Sequence, residues 1–365
     1  MNRGLLALAA AGAFLIAATG TVTGHASGCT RTGDYTVCTT DPKGAEDTSI
    51  VTEVVSRIDA TEQGDTVRAA AYQWTLEKPI APLAQALVDA HGRGVDVRAV
   101  VGQRGDRPSM NDPVIDKLRA AGIEVRQCEG GCLPKAGGTR RGPDHNRFFL
   151  IDRGGAPTVL VTSFSFTRSH TTEAHNLLGV HGDRPLFDFY AGYWDRLYSK
   201  RWGGWTEEDK STTGALARAW VFPRRTDPVA EELGAITGCG DGDRVLVAHA
   251  NFQPNRPAVR WQLGRIQGLG CQVRVIVLDK ETNSPPWLGD ALGDANVRIH
   301  DAHRNKYIVA QARFGGEHRA VVWTGTHNLN GNGMNHADDN MIRVVDRGVA
   351  DLYARHFQRL WCGAE

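Results

Sequence analysis

The stretch PDHNRFFLID, residues 143–152, places His145 and Arg147 two residues apart at the head of an apolar run, with Asp152 at its end. In an extended strand, residues two apart share a face, so His145 and Arg147 point the same way while Asp152, at odd spacing, points to the other side. Arginine beside histidine suits a phosphate. The guanidinium offers a permanently charged fork, and the imidazole can attack phosphorus or pass a proton near neutral pH. Asp152 then reads as a structural anchor that holds the strand from behind.

The elements that must position these residues occur twice. Near the start, GDTVRAAAYQWT reads as a strand, IAPLAQALVDAHGRG as an amphipathic helix ending in Gly, and VDVRAVVG as a buried strand. The second half repeats the order with GDRVLVAHANFQ, RPAVRWQLGRIQGLG and CQVRVIVLD. Further on, IEVRQC matches NVRIHD, HNRFFLID matches HRNKYIVAQ, TVLVTSFSFT matches VVWTGTHNLN, and EAHNLLGV matches ADDNMIRV. Each half closes on an aromatic helix, LFDFYAGYWDRLY and VADLYARHFQRLW. Strands alternating with helices predict mostly parallel sheets covered by helices, so the fold class is α/β, with two similar sandwich lobes related by a pseudo-twofold. The lobes are expected over residues 27–205 and 206–365, joined at the polar run GGWTEEDKSTTG, with a site in the cleft between equivalent strand ends.

The pattern HxKxxxxD, once per half and followed by G(S/T)xN, resembles the phospholipase D superfamily. The repeated order of elements extends that resemblance over nearly the whole chain after residue 26. The resemblance implies two histidine motifs meeting at the lobe interface of a metal-independent phosphodiesterase. One histidine forms a phosphohistidine, the other protonates the leaving oxygen, and water or an alcohol releases the phosphoryl group.

Carried over residue by residue, the first motif gives His145, Arg147 in the lysine place and Asp152, then Thr162, Ser163 and Ser165 where the family has Gly, Ser and Asn. The second glycine motif is Gly325, Thr326 and Asn328. The second histidine motif departs from the pattern. If Lys306 keeps its place, Arg304 stands where histidine should be and Gln311 where aspartate should be. His303, three residues before Lys306, falls on the opposite face of a regular strand, so the two share a site only if a bulge absorbs one residue. With that bulge, the resemblance implies His145 as nucleophile and His303 as general acid and base. Arg147, Lys306, Asn328, Thr326, Ser163 and Ser165 would hold the phosphoryl oxygens, and Asp339 would orient a histidine across the interface. The position matching Asp339 is His175, which with Glu173 reads as part of a solvated loop. No cofactor and no metal are expected. CEGGC is not a CxxC, and no second Cys/His pair completes a zinc set.

The rest of the chain sets the context. MNRGLLALAAAGAFLIAATGTVTGHASG carries Arg3 before an apolar run too short to span a bilayer, then small residues with a cleavage site after Ala26, the pattern of a secretory signal peptide over 1–26. Export makes disulfides the expected fate of the seven cysteines. Cys29/Cys38 and Cys128/Cys132 are the easy pairs. Cys239 and Cys271 could pair and leave Cys362 over, but the connectivity stays open. A formal net charge of +1 argues against a strongly electrostatic nucleic-acid binder, although a local basic groove is compatible with it. The expected function is a secreted phosphodiesterase on phospholipid headgroups, with transient membrane-surface contact and no obligate protein partner. An endonuclease on the same fold, or a binding protein whose catalysis has decayed, are the alternatives. Trp287 in NSPPWLGDAL and Trp205 in GGWTE could touch lipid or belong to the core. The basic run 135–142 could gather anionic substrate or be a surface loop.

Overall fold

The structure, a computed structural model, describes residues 28–41, 45–103, 109–133, 142–201, 204–278 and 284–364. The leader over 1–26 and all of the basic run except Gly142 lie outside the described residues.

The first lobe contains β1 (Gly28–Thr32), β2 (Tyr35–Thr39), α1 (Ser49–Asp59), β3 (Thr66–Ala71), α2 (Ala81–Gly92), β4 (Asp96–Gln103), α3 (Asp112–Ala120), β5 (Glu124–Glu129), β6 (Arg147–Arg153), β7 (Ala156–Thr162), β8 (Asn176–His181) and α4 (Arg184–Ser199). The second contains β9 (Ser211–Thr213), β10 (Ala217–Val221), α5 (Pro228–Gly234), β11 (Ile236–Gly238), β12 (Arg244–His249), α6 (Pro257–Gly268), β13 (Gln272–Val277), α7 (Ser284–Leu292), β14 (Val297–Ile299), β15 (Lys306–Phe314), β16 (Glu317–Gly325), α8 (Gly331–Asn335), β17 (Asn340–Val345) and α9 (Arg347–Gly363).

One sheet runs β1-β2-β8-β7-β6-β3-β4-β5 and the other β14-β13-β12-β15-β16-β17-β10-β9, with β11 against β15. The order β8-β7-β6-β3-β4-β5 thus recurs as β17-β16-β15-β12-β13-β14, the duplication expected from the sequence. The sheets are mixed, however, not mostly parallel. β3, β4 and β5 run parallel because α2 and α3 carry the chain back between them, and β12, β13 and β14 do likewise. No helix separates β6 from β7. Gly154 and Gly155, at φ 55° and 83°, close a tight hairpin there, and Gly315 and Gly316, at 58° and 91°, close its counterpart between β15 and β16, so these pairs are antiparallel.

Alternate residues of the strands feed separate cores. Helices α1, α2 and α3 bury Val54, Leu87 and Leu118 against Val67, Ala99 and Phe149 on the outer face of the first sheet. Helices α5, α6 and α7 cover the outer face of the second in the same way. Between the lobes a single cluster joins Phe148, Val159, Tyr307 and Val322 to Tyr190 and Trp194 of α4 and Tyr353 and Phe357 of α9. Each such side chain contributes about 1.5–3 kcal/mol relative to an exposed one. Cys29–Cys38, Cys128–Cys132 and Cys239–Cys271 stand as disulfides, and Cys362 is free and exposed. Among the described residues, no helix is long and apolar enough to cross a membrane. Trp205 stacks on Tyr193 and Trp287 meets Phe252 edge-on, both partly buried.

Candidate active site

The site is built where the two copies of β6 and β15 begin. His145 sits two residues ahead of Arg147, and its backbone N–H donates to the Asp338 carbonyl at 2.9 Å while Asp338 N–H donates to Pro143 O at 3.0 Å. The second lobe repeats this stitch. Arg304 N–H donates to Ala174 O at 2.8 Å, and Ala174 N–H to Ala302 O at 2.7 Å. The pseudo-twofold therefore relates His145 to Arg304, Asp144 to His303, Asp338 to Ala174 and Asp339 to His175.

Across the seam, His145 Nδ1 lies 2.8 Å from Asp339 Oδ1, which also accepts from Thr326 Oγ1 at 2.7 Å. Asp339 is fully buried, and the His145 side chain is 12% exposed, enough to meet a ligand. A carboxylate at Nδ1 holds the proton there and leaves Nε2 with a lone pair. Burial, and then the Arg147 charge, lower the His145 pKa to about 4 against the pull of Asp339. The imidazole is therefore neutral at pH 7. Close approach of β16 and β17 brings Thr326 to Asp339. A Cβ on Gly325 would lie 2.2 Å from the Asn340 carbonyl oxygen, so only glycine permits it.

Arg147 donates from Nε to Ser165 Oγ at 2.8 Å and from its terminal nitrogen to His145 O at 3.0 Å, with its guanidinium 5.2 Å above the Tyr72 ring. Tyr72 also meets His145 edge-on at 4.9 Å. Burial lowers the Arg147 pKa only to about 10, so its charge persists. Lys306, nearly as buried, is brought to about 7 by burial first and by Arg147 second. Ser163 is turned away from Arg147. Its Oγ accepts from Asn176 N–H at 3.1 Å and faces His175 Nδ1 at 3.2 Å. The Asn328 carbonyl accepts from Arg256, and its side-chain oxygen has no hydrogen-bond partner. Asp152 lies at the far end of β6, where Arg184 at the start of α4 donates to it at 2.8 Å.

His303 occupies the place related to Asp144. It is fully buried, and neither ring nitrogen has a hydrogen-bond partner. β15 begins at Lys306, and its pairing with β12 and β16 runs without a register shift. Among the described residues, no hydrogen bond or ring contact joins His303 to His145.

In the segment read as a solvated loop Ala174 and His175 are buried and Glu173 is half-buried, because Ala174 pairs with residues 302–304 of the other lobe. His175 has no exposure, and Arg304 Nε donates to Glu173 Oε1 at 2.9 Å. His170 stacks on His175 at 4.7 Å, and the two Nε2 atoms lie 3.8 and 3.6 Å from Glu173 Oε2. These three ligand atoms converge as a metal set would. However, Ser165 N–H donates to His170 Nδ1 at 2.8 Å, which fixes the proton on Nε2. Neither Nε2 lies within hydrogen-bond distance of Glu173 Oε2, and Nε2 of His170 cannot ligate a metal without losing that proton.

Sequence reasoning missed Tyr72, His170 and the paired asparagines. Asn340 Nδ2 donates to Asn146 Oδ1 at 2.9 Å, and Asn176 Nδ2 to Thr324 Oγ1 at 2.6 Å, each crossing between lobes. A signal existed for the asparagines, since Asn stands at the same place in EAHNLLGV and ADDNMIRV.

Two α/β lobes with a histidine, its carboxylate partner and paired basic side chains at their seam define the phospholipase D class. The chain belongs to the phospholipase D superfamily: the family model described as "Cardiolipin synthase, PLD-like domain" matches residues 54–198 and 235–361. Phosphatidylserine synthase of Haemophilus influenzae Rd KW20 superposes with a TM-score of 0.57 at 10% identity, covering 86% of this chain and 83% of that one. Polyphosphate kinase of Porphyromonas gingivalis gives 0.56 at 13% identity over 89% of this chain, which spans only 46% of the kinase. Nuc, a phospholipase D family member of Salmonella typhimurium, is 24% identical over 46% of this chain and 94% of its own, with a TM-score of 0.35. No curated protein matches the chain.

Proposed function

We propose that this chain is an exported phosphodiesterase of phospholipase D type that works through a phosphohistidine on His145 and needs no metal. The observation that carries the reading is the hydrogen bond from His145 to Asp339 across the seam, with Arg147 and Lys306 beside it. It leaves Nε2 free to attack phosphorus, with the fixed charge of Arg147 beside it for the phosphoryl oxygens. Thr326, Ser165 and Asn328 support the site from behind or at its edge, and Asp152 is structural. Phospholipid headgroups rank first as substrate because the matching family is described by cardiolipin synthase; nucleic acid ranks second, since the phosphate chemistry is indifferent to what flanks it. Export is supported by the leader pattern over 1–26 and by the three disulfides. We take the lobes to divide at residues 205 and 206.

One observation favours a second reading, a binding protein on this fold. Arg304 stands where the second histidine is expected and is tied to Glu173. The experiment that separates the readings incubates the mature protein in chelator with bis-p-nitrophenyl phosphate, beside His145→Ala. Release that survives chelator and vanishes in the variant is expected, after which phosphatidylcholine and DNA are compared. Release that His145→Ala leaves intact would overturn the phosphohistidine, and no release from the native protein on any of the three would favour binding.

A further inference from the structure

The pseudo-twofold leaves a gap in the chemistry. A phosphohistidine route needs a second group that gives a proton to the leaving oxygen and later takes one from water. Arg304, which occupies that position, is permanently charged and bonded to Glu173, so it cannot exchange protons. His170 is held neutral with its proton on Nε2 by the Ser165 N–H and would have to become an anion to donate. His175 is sealed between Ser163 and Glu173 without exposure, and His303 and His249 are buried in the second lobe.

We infer that Lys306 is the general acid and base of this site, and that Arg147 alone keeps the phosphate-clamping role usually shared by both basic residues. This rests on the phosphodiesterase reading above. Lys306 opens β15 as Arg147 opens β6, each paired with the last residue of the neighbouring strand, His249 of β12 and Ala71 of β3; its N–H donates across the seam to Asn176 Oδ1 at 3.3 Å, and its ammonium feels the charges of Arg147 and Asp339 beside His145. Facing it are Arg147 from β6, Arg304 from its own approach, Glu173 from ahead of β8 and Asp339 from ahead of β17. His175 and His249 also face it, but burial holds both well below the ordinary histidine range, so they add no charge at neutral pH. Burial and the two arginines outweigh the two carboxylates and bring the ammonium to about 7. Arginine in the first motif and lysine in the second therefore divide the labour: one cation is fixed and the other titrates.

The step balances as follows. Nε2 of His145 forms a bond to phosphorus as the bond to the leaving oxygen breaks. Lys306 gives that oxygen a proton and becomes a neutral amine, and the product leaves as an alcohol. The amine then takes a proton from water as the water oxygen attacks phosphorus and the phosphorus–nitrogen bond breaks, restoring His145 and the ammonium.

The test compares p-nitrophenyl methyl phosphate, whose leaving group needs no proton, with phenyl methyl phosphate, whose leaving group does. Lys306→Arg keeps the charge but cannot donate, so it should lose roughly a hundredfold more rate on the phenyl ester than on the nitrophenyl ester. Equal losses on both esters, or none on either, would overturn the inference while leaving the phosphodiesterase reading intact. A second measurement needs no variant. In the native protein the rate ratio between the two esters should widen as pH rises through about 7, and a constant ratio would count against Lys306. Failure of the native protein to cleave either ester, with no phosphohistidine on His145, would remove both readings together.

Discussion

At the scale of single residues, the decisive feature is which nitrogen of His145 carries the proton. Asp339 Oδ1 accepts from Thr326 and therefore has its geometry fixed before it meets Nδ1 of His145. Asp339→Asn would keep the shape but offer an N–H to Nδ1, moving the proton to Nε2 and hiding the lone pair that must attack phosphorus. A tautomer error of this kind is costly even when every atom stays in place, and we expect a fall in kcat of roughly 10³–10⁴-fold. Release of p-nitrophenolate from bis-p-nitrophenyl phosphate measures it. A variant within tenfold of the native rate would mean that Asp339 is a packing residue. Ser163 and His175 repeat the Thr326–Asp339 pairing at the related place, but there the partner presents a ring in place of a carboxylate. One half of the site thus pairs a histidine with a carboxylate, and the other places Arg304, Glu173 and two further histidines together.

At the scale of elements, Asp183 ties the lobes together. It caps α4 by accepting from Leu186 N–H at 3.0 Å, and it also accepts from the N–H groups of Ala215, Leu216 and Ala217 at 3.1, 2.7 and 3.1 Å as the chain enters β10. Loss of a cap together with buried donors left unpaired costs about 2–4 kcal/mol. Asp183→Ala should therefore lower the calorimetric melting midpoint by roughly 3–6 °C, and an unchanged midpoint would show that water serves those amides equally well. The cap itself is legible in the sequence, as an acidic residue before Arg184 and Pro185. Its second set of partners, more than thirty residues later, is not. The same division runs through the whole fold. Strand and helix positions follow from periodicity, and the repeat from matched strings, because both are local patterns. The mixed pairing was missed because it depends on whether a helix or a Gly-Gly turn joins two strands. The site divides likewise: His145 and Arg147 share a face by strand geometry alone. Arg304 in the place of the second histidine follows from motif spacing, whereas the burial of His175 and the pairing of Arg304 with Glu173 arise only where distant segments meet.

At the scale of the whole molecule, two carboxyl groups are buried together in the seam behind the site. Asp144 and Asp338 pair through their backbones, and Asp338 Oδ2 accepts from Cys132 and Leu133 N–H beside the Cys128–Cys132 bridge. Burial, opposed by the hydrogen bonds from Asn146, raises the Asp144 pKa to about 7, and burial with the charge of Asp144 raises Asp338 well above the usual carboxylate range. An acid whose pKa is raised by folding binds its proton more tightly in the native state. Its contribution is therefore fully present below the unfolded value near 4 and is lost as pH rises through about 7. The buried histidines act in the opposite sense. His145 at about 4, and His327 and His356 at about 3, are lowered chiefly by burial, so the native state loses stability as pH falls below their unfolded value near 6.5. The two trends mask each other in a single stability curve, but a difference between variants separates them. Asp338→Asn keeps an oxygen for the Cys132 and Leu133 amides, removes one acid and can offer an N–H to Asp144. Relative to the native protein it should gain about 1–2 kcal/mol between pH 5 and pH 8, each pKa unit being worth about 1.4 kcal/mol. Denaturant unfolding at the two pH values measures the gain. Parallel pH dependences in the two proteins would mean that the seam holds its carboxyl groups without strain, and that the pH response lies with the histidines alone.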